Sequence, residues 1–276
     1  MRKLFGKIAT WARLQRPRRV VYTCLFGYSE HFVDHHYERD DETDFLCFTD
    51  DKSLTSDFWR FRYLASTELG PVRTSKKAKI LPHRYLATYS RSLYVDNTVQ
   101  LVAPVSTLFE MLDASAVPMM CFAHNIRNCI YEEAKEVVAL NYDDRPTIES
   151  QMSRYRATGH PEKAGLITGS TLFRRHNDPT VKSVMEDWFA EVQAHSYRDQ
   201  LSFNYVARRR DFQPALLNGN SHDNDIMKWP VVVGPRLPRK FRDDVYLALN
   251  PDIKAAGMNP RQHYLLHGAS EGRRWE

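Results

Sequence analysis

At 276 residues, with 42% hydrophobic, 12% aromatic and 26% charged residues, the chain has the make-up of an ordinary globular protein that can bury one large core, and neither disorder nor a collagen-like repeat fits it. No apolar run approaches the roughly 18 residues that cross a bilayer, which speaks against an integral helical membrane protein. The net charge, 39 − 34 = +5, is unevenly spread, because residues 1–19 hold seven Lys or Arg and no acid. From Val20 onward the balance is 32 − 34 = −2, so a broad nucleic-acid surface is not expected.

The first segment places Leu4, Phe5, Ile8, Trp11 and Ala12 on one side of a helical wheel, with Arg2, Lys3, Arg13 and Arg16 opposite, and Pro17 ends it. It has no uninterrupted apolar stretch of the secretory kind. Two readings stay open for residues 1–19: an interfacial helix on an anionic membrane surface, or a helix docked on the body. The four cysteines, Cys24, Cys47, Cys121 and Cys129, have no C-x-x-C spacing, and reduced buried thiols of a cytoplasmic protein are the plain expectation.

Further on, strand-like and helix-like segments alternate, the pattern of an α/β sheet with helices on its faces. Residues 20–26 (VVYTCLF) form a β-branched and aromatic strand that runs into the turn GYSE. Residues 44–51 (DFLCFTDD) form a second buried strand ending in acids, and residues 92–97 (SLYVDN) a third. Ligands of open α/β sheets bind outside the carboxyl ends of the strands, so a site is predicted at that edge. Lys76 and Lys79 fall three apart and would share a helix face, with Arg73 just upstream. Residues 240–276 read as small helices. Asn250 with Pro251, and Asn259 with Pro260, carry start signals, while Gly257 and Gly268 stand where the chain should leave a helix through a left-handed conformation.

Taken in order, YTCLFGYSE, FLCFTDD, RTSKKAKILPHRYL, SLYVDNTVQL, FAHNIRNCIYEEA, GLITGSTLFRRHND and YRDQLSFNYV resemble the glycosyltransferase-like family that includes plant seed-mucilage and pollen-turgor proteins. The resemblance spans roughly residues 20–215. It implies a GT-A-like, Rossmann-like mixed and mostly parallel sheet with helices on both faces. The expected organisation is an arm over residues 1–19, a glycosyltransferase domain over 20–239 and a helical appendage over 240–276. That appendage resembles a short repeat found on bacterial polysaccharide glycosyltransferases. The expected activity is transfer of a hexosyl or pentosyl unit from a UDP- or GDP-sugar to a hydroxyl acceptor in bacterial surface polysaccharide or glycan synthesis. The expected location is cytoplasmic, peripheral on the inner face of the membrane.

A sugar nucleotide needs a pocket for its base, a carboxylate for its ribose or a metal, and cations for its phosphates. Tyr28, Thr49 and Asp50 are the candidates for the nucleoside, although DDKS after Thr49 is also good turn chemistry. Arg73, Lys76 and Lys79 are the candidates for the diphosphate. Asp96 fills the first position of the D-x-D pair that such enzymes carry, and the resemblance also offers His222 as a late metal or phosphate ligand. Thr98 stands at the second position and is no equal ligand for Mn2+ or Mg2+, which leaves metal dependence open. Gly169, His124 and Arg127 match positions that would face the acceptor. Asp199 and Gln200 open a helix where a carboxylate either accepts a proton or stabilises positive charge on the sugar, or else caps the helix.

Two other classes compete. Gly27-Tyr28-Ser29 after a strand is half of a nucleophile elbow, with His31 where its second glycine should be, and the family has a member described as a ceramidase. Thr98 also suits a protein that binds a sugar nucleotide or glycan without turnover. His31, His35 and His36 lack the recurring spacing of a structural zinc site. His263 and His267 read as helix-face residues.

Overall fold

The computed structural model describes residues 19–276. The amphipathic arm lies outside the described residues except for Arg19, which is the first residue of β1 and bonds Asp40 at 2.9 Å.

Strand β1 (Arg19–Leu25) lies at the middle of a sheet because both its faces are apolar. Val20, Tyr22 and Cys24 enter one core layer, and Val21 and Leu25 enter the other. Strand β2 (Thr43–Thr49) divides in the same way, with Leu46 and Phe48 against Phe45 and Cys47. Side chains alternate along a strand, so a strand covered on both faces reads as a nearly continuous hydrophobic run. The remaining strands are β3 (Arg60–Tyr63), β4 (Arg91–Val95), β5 (Gln100–Leu101), β6 (Met119–Ala123), β7 (Ile167–Arg174), β8 (Ala215–Leu217) and β9 (Met227–Lys228).

Seven strands form one sheet in the order β3-β2-β1-β4-β7-β6-β8, and β5 pairs with β9 in a small ribbon. Pairings β1–β2, β2–β3, β1–β4 and β6–β8 are parallel, whereas β7 runs antiparallel to both β4 and β6. The mixed, mostly parallel sheet of the GT-A-like expectation is therefore the one observed. Strand order changes direction at β1 and β4, where crevices open at strand ends.

Helix α1 (Gly70–Ile80) starts with Pro71 in its first turn and ends with Lys77 and Lys79 in its last, a charge order that suits the helix dipole. Helices α2 (Pro82–Tyr85), α3 (Val105–Ala114), α4 (Ile130–Ala139), α5 (Arg145–Ala157), α6 (Pro179–Ala194) and α7 (Gln200–Arg209) follow. The larger core layer packs α1, α4, α5, α6 and α7 on one face of the sheet, and α3 covers the other. Asp178 caps α6 by accepting from the amides of Thr180 and Val181, with Pro179 next to it.

The chain closes with α8 (Asp243–Leu249), α9 (Pro251–Ala255), α10 (Pro260–His263) and a π-turn over Tyr264–Gly268. These pack a small core of their own: Phe241, Tyr246, Ile253 and Tyr264. Asn259 caps α10 through the amides of Arg261 and Gln262. Asn250 does not cap with its side chain, which instead donates to the carbonyls of Tyr246 and Arg274. Gly257 leaves its helix with φ +64°, but Gly268 does not leave in a left-handed conformation. A Cβ there would collide with the Tyr246 hydroxyl, so Gly268 serves close packing, and the left-handed exit falls at Gly272 (φ +66°). His263 lies buried with Nδ1 2.9 Å from the Tyr246 hydroxyl.

Candidate active site

Helix α1 carries Lys76 and Lys79 toward the sheet edge because one turn separates them, and both reach the residue that opens α7. Lys76 Nζ lies 3.1 Å from Asp199 Oδ1 and Lys79 Nζ 2.7 Å from Asp199 Oδ2. Asp199 does not spend its carboxylate on capping, for α7 has no side-chain cap bond there, and its carbonyl accepts from Trp188 Nε1 at 2.8 Å. Burial would raise the Asp199 carboxyl, but Lys76 and Lys79 outweigh it and hold the group well below the usual carboxylate range. Burial likewise works against a charged Lys79, and Asp199 and Asp96 overcome it and raise the ammonium above its ordinary value.

Asp96 follows β4. Its amide donates to the Ser170 carbonyl on β7 at 2.8 Å, and its Oδ1 accepts from the Tyr94 hydroxyl at 2.6 Å. Lys79 Nζ stands 3.9 Å from the same Oδ1 and 4.9 Å from the centre of the Tyr94 ring. Gly169 on β7 leaves this ammonium room, since a Cβ there would lie 3.1 Å from Lys79 Nζ and 3.6 Å from Asp199 Oδ2. From the other side Arg174, fully buried on β7, donates to the carbonyls of Lys79 (2.9 Å) and Ile80 (3.4 Å) and so fixes the end of α1.

These groups face a cavity of about 330 Å³, where Lys76, Lys79, Asp96, Gly169, Asp199 and Gln200 meet His124, Arg127 and His222. Gln200 donates to the Ile167 carbonyl at 3.0 Å. His124 Nδ1 accepts from the amides of Ile126 and Arg127, at 3.2 and 3.0 Å, which leaves the proton of the neutral ring on Nε2. Burial lowers its pKa, so the neutral form is favoured. Arg127 pairs with Glu133 at 2.7 Å, and the His222 ring packs on Trp229 with centroids 5.1 Å apart.

Tyr28, Thr49 and Asp50 are not in this cavity. They line a second hollow of about 380 Å³ at the ends of β1 and β2. Asp50 Oδ1 accepts from the Gly27 amide at 3.0 Å and Oδ2 from Ser66 Oγ at 2.8 Å, while Thr49 Oγ1 accepts from the Asp51 amide at 3.0 Å. Tyr28 sits at φ +50° with Gly27 at +74°, so the strained residues of this turn precede Ser29, and no helix follows it. Arg73 belongs to neither hollow. Its guanidinium donates to the carbonyls of Val192 and His195, holding the end of α6.

Among the described residues no group of three or more His, Cys, Asp or Glu side chains is placed to hold a metal ion. Thr98 is buried, and the charge facing Asp96 is the Lys79 ammonium, so these side chains do not build a metal cage. Sequence reasoning passed over Arg174, Arg198 and Tyr94. Arg174 had a signal, a charge in a strand otherwise apolar or hydroxylic, whereas Arg198, which lines the cavity, looked like any other surface cation beside Asp199.

Two lysines of α1 and two aspartates thus meet around one cavity at the edge of a mixed sheet. The model of the TOD1/MUCI70 glycosyltransferase-like domain matches residues 31–220, and the chain belongs to that family. Among solved structures, mouse xyloside xylosyltransferase 1 in its apo form is similar at 11% identity and a TM-score of 0.46, over 73% of this chain and 85% of that one. The apo WbbM bifunctional glycosyltransferase is similar at 9% identity and a TM-score of 0.44, over 73% of this chain and 39% of that one. No curated protein matches the chain.

Proposed function

We propose that the protein transfers a hexosyl or pentosyl unit from a UDP- or GDP-sugar to a hydroxyl acceptor, with the diphosphate held over Lys76 and Lys79. The observation that carries this reading is the buried Lys76–Asp199–Lys79 group open to the cavity beside Asp96. In the transfer, the bond from the anomeric carbon to the phosphate oxygen breaks and a bond to the acceptor oxygen forms. The hydroxyl proton ends on the departing nucleoside diphosphate. Two preorganised ammonium groups in a partly desolvated site stabilise the charge that develops on the leaving group.

Asp199 is paired with both lysines, which hold its carboxyl well below the usual carboxylate range, and the reading gives it two tasks. It orients the lysines, and its negative charge faces a sugar turning cationic. The reading assigns Asp96, beside Lys79, to the reacting phosphate and sugar, and Gly169, Gln200, Arg127 and the Nε2 proton of His124 to the acceptor, all of them lining the cavity. Tyr28, Thr49 and Asp50 shape the nucleoside hollow, and Arg73 supports the group through α6. A role in bacterial surface polysaccharide synthesis, at the cytoplasmic face of the membrane through the basic arm, completes the proposal.

Thermal shift and calorimetric titration with a panel of nucleotide sugars, with Mn2+ or with EDTA, test it. Ligand at about 100 times its dissociation constant adds about 2.7 kcal/mol of stability. Stabilisation by one donor that persists in EDTA is expected, and no response to any nucleoside diphosphate or its sugars would sink the reading.

A further inference from the structure

The hollow that carries Tyr28, Thr49 and Asp50 is not made by the sheet alone. Its opposite wall is Gln262, Leu265 and Leu266 of the C-terminal helical unit. Resting on the donor reading above, we propose that this unit is a working wall of the donor site, and that Gln262, Leu265 and Leu266 select the nucleoside.

Several independent contacts hold the unit there. Gln262 Nε2 donates to Ser53 Oγ at 3.0 Å, in the turn that follows β2. The connecting segment is stitched to the turn after β1: Arg236 bridges Glu30 in antiparallel fashion and pairs with its carboxylate at 3.8 Å, and the Leu237 amide donates to the Ser29 carbonyl at 3.2 Å. Arg239 then donates to the Leu140 carbonyl (2.9 Å) and the Tyr142 hydroxyl (2.7 Å), and Leu140 and Tyr142 both line the lysine cavity. One segment thus touches the rims of both hollows.

The two hollows are also joined from below. Asn97, next to Asp96, donates to Glu30 Oε1 at 2.9 Å and to the His31 carbonyl at 2.7 Å, and accepts from the Val33 amide at 2.9 Å. The nucleoside hollow lies at the ends of β2 and β1 and the cavity at those of β4 and β7, which are consecutive in the sheet. At about 4.8 Å per strand, the whole span is about 14 Å along one edge, so a single extended ligand reaches from one to the other.

The lining suits a flat, edge-polar ring. Leu25, Leu54, Leu265 and Leu266 offer apolar faces, and Glu30, Asp51 and Gln262 offer polar edges. Leu266 is 53% exposed although its unit has a core of its own, so folding of that unit does not account for a leucine at the mouth.

Calorimetric titration of the full chain with UDP, GDP, ADP and CDP, and separately with inorganic pyrophosphate, tests the proposal in Leu266→Trp, Gln262→Ala and the control Met258→Trp, an exposed position outside the hollow. Leu266→Trp is expected to weaken the preferred nucleoside diphosphate at least about tenfold, about 1.4 kcal/mol, and to leave pyrophosphate unchanged. Gln262→Ala is expected to narrow the difference between bases, and Met258→Trp to change nothing. Should tryptophan prevent folding, Leu266→Ala makes the same comparison by removing the contact. Wild-type nucleotide affinity in the Leu266 and Gln262 variants, or equal loss of nucleotide and pyrophosphate, overturns the proposal and leaves the donor reading standing. A wild-type chain that binds neither probe overturns both.

Discussion

Asp199 concentrates the electrostatics of the cavity, since one buried carboxylate faces two ammonium groups, that of Lys79 buried and that of Lys76 partly open to solvent. Removing the charge with Asp199→Asn strands Lys76 and Lys79 together, and the expected loss is about 3 kcal/mol in urea unfolding, the lower end for a broken buried pair because Lys76 can reach solvent. The sign with pH follows from the depressed carboxyl. Its folded value lies below the unfolded value of about 3.9, so its contribution is complete above about pH 5 and is lost as the pH falls through the folded value. The gap between wild type and Asp199→Asn is therefore expected to shrink as the pH falls below about 5, and a gap that widens in acid would contradict the assignment. Kinetics separate the neighbouring groups. Asp96→Ala is expected to lower kcat by about a hundredfold or more with the donor KM little changed, whereas Lys76→Ala is expected to raise the donor KM and to lower kcat as well. Full turnover in a folded Asp96→Ala protein would return Asp96 to a turn role.

Elements matter here through the ends they present to one another. Helix α1 delivers its lysines with its carboxyl end tied to two strands, to β7 by Arg174, whose guanidinium meets the carbonyls of Lys79 and Ile80, and to β1 by the Tyr22 hydroxyl, which donates to the Lys79 carbonyl at 2.7 Å. Arg174→Met keeps the length of the side chain and removes its bonds to both carbonyls, leaving the Lys79 carbonyl to the Tyr22 hydroxyl alone. A loss of about 1–3 kcal/mol is expected from urea unfolding, together with a raised donor KM, because the last turn of α1 is then held by Tyr22 alone and Lys79 is less firmly placed. Unchanged KM with lowered stability would confine Arg174 to a structural task. Strands β1, β2 and β4 were legible as nearly continuous apolar runs because both faces are buried, and the i, i+3 spacing of Lys76 and Lys79 was legible because it is local. The partner of those lysines was not, since Asp199 is more than a hundred residues away and its position at a helix start invites a capping role.

At the scale of the whole chain, the basic arm and the body divide the charge. With Arg19 built into β1, residues 1–18 keep six Lys or Arg and no acid. Deleting residues 1–18 is expected to leave turnover on a soluble acceptor intact and to weaken sedimentation with anionic liposomes. Each basic residue near such a surface contributes about 1 kcal/mol, screened over about a Debye length, so binding also falls as salt rises. A full-length chain that ignores anionic liposomes at low salt, with a deletion that lowers the melting temperature, would identify the arm as a docked helix.

What the sequence by itself determined is what short-range physics governs: the buried strands, the acids at their carboxyl ends, the cap at Asn259, the charge asymmetry and the ordered motifs of a glycosyltransferase-like domain. Only the tertiary structure decided how those motifs are shared out. It sent Arg73 to the end of α6, divided the expected donor residues between two hollows, turned Gly268 into a packing contact and laid the C-terminal unit against the nucleoside hollow. The reason is that a cavity is set by which elements become neighbours. In this sheet the neighbours β4 and β7 are more than seventy residues apart, a separation that neither periodicity nor local spacing records.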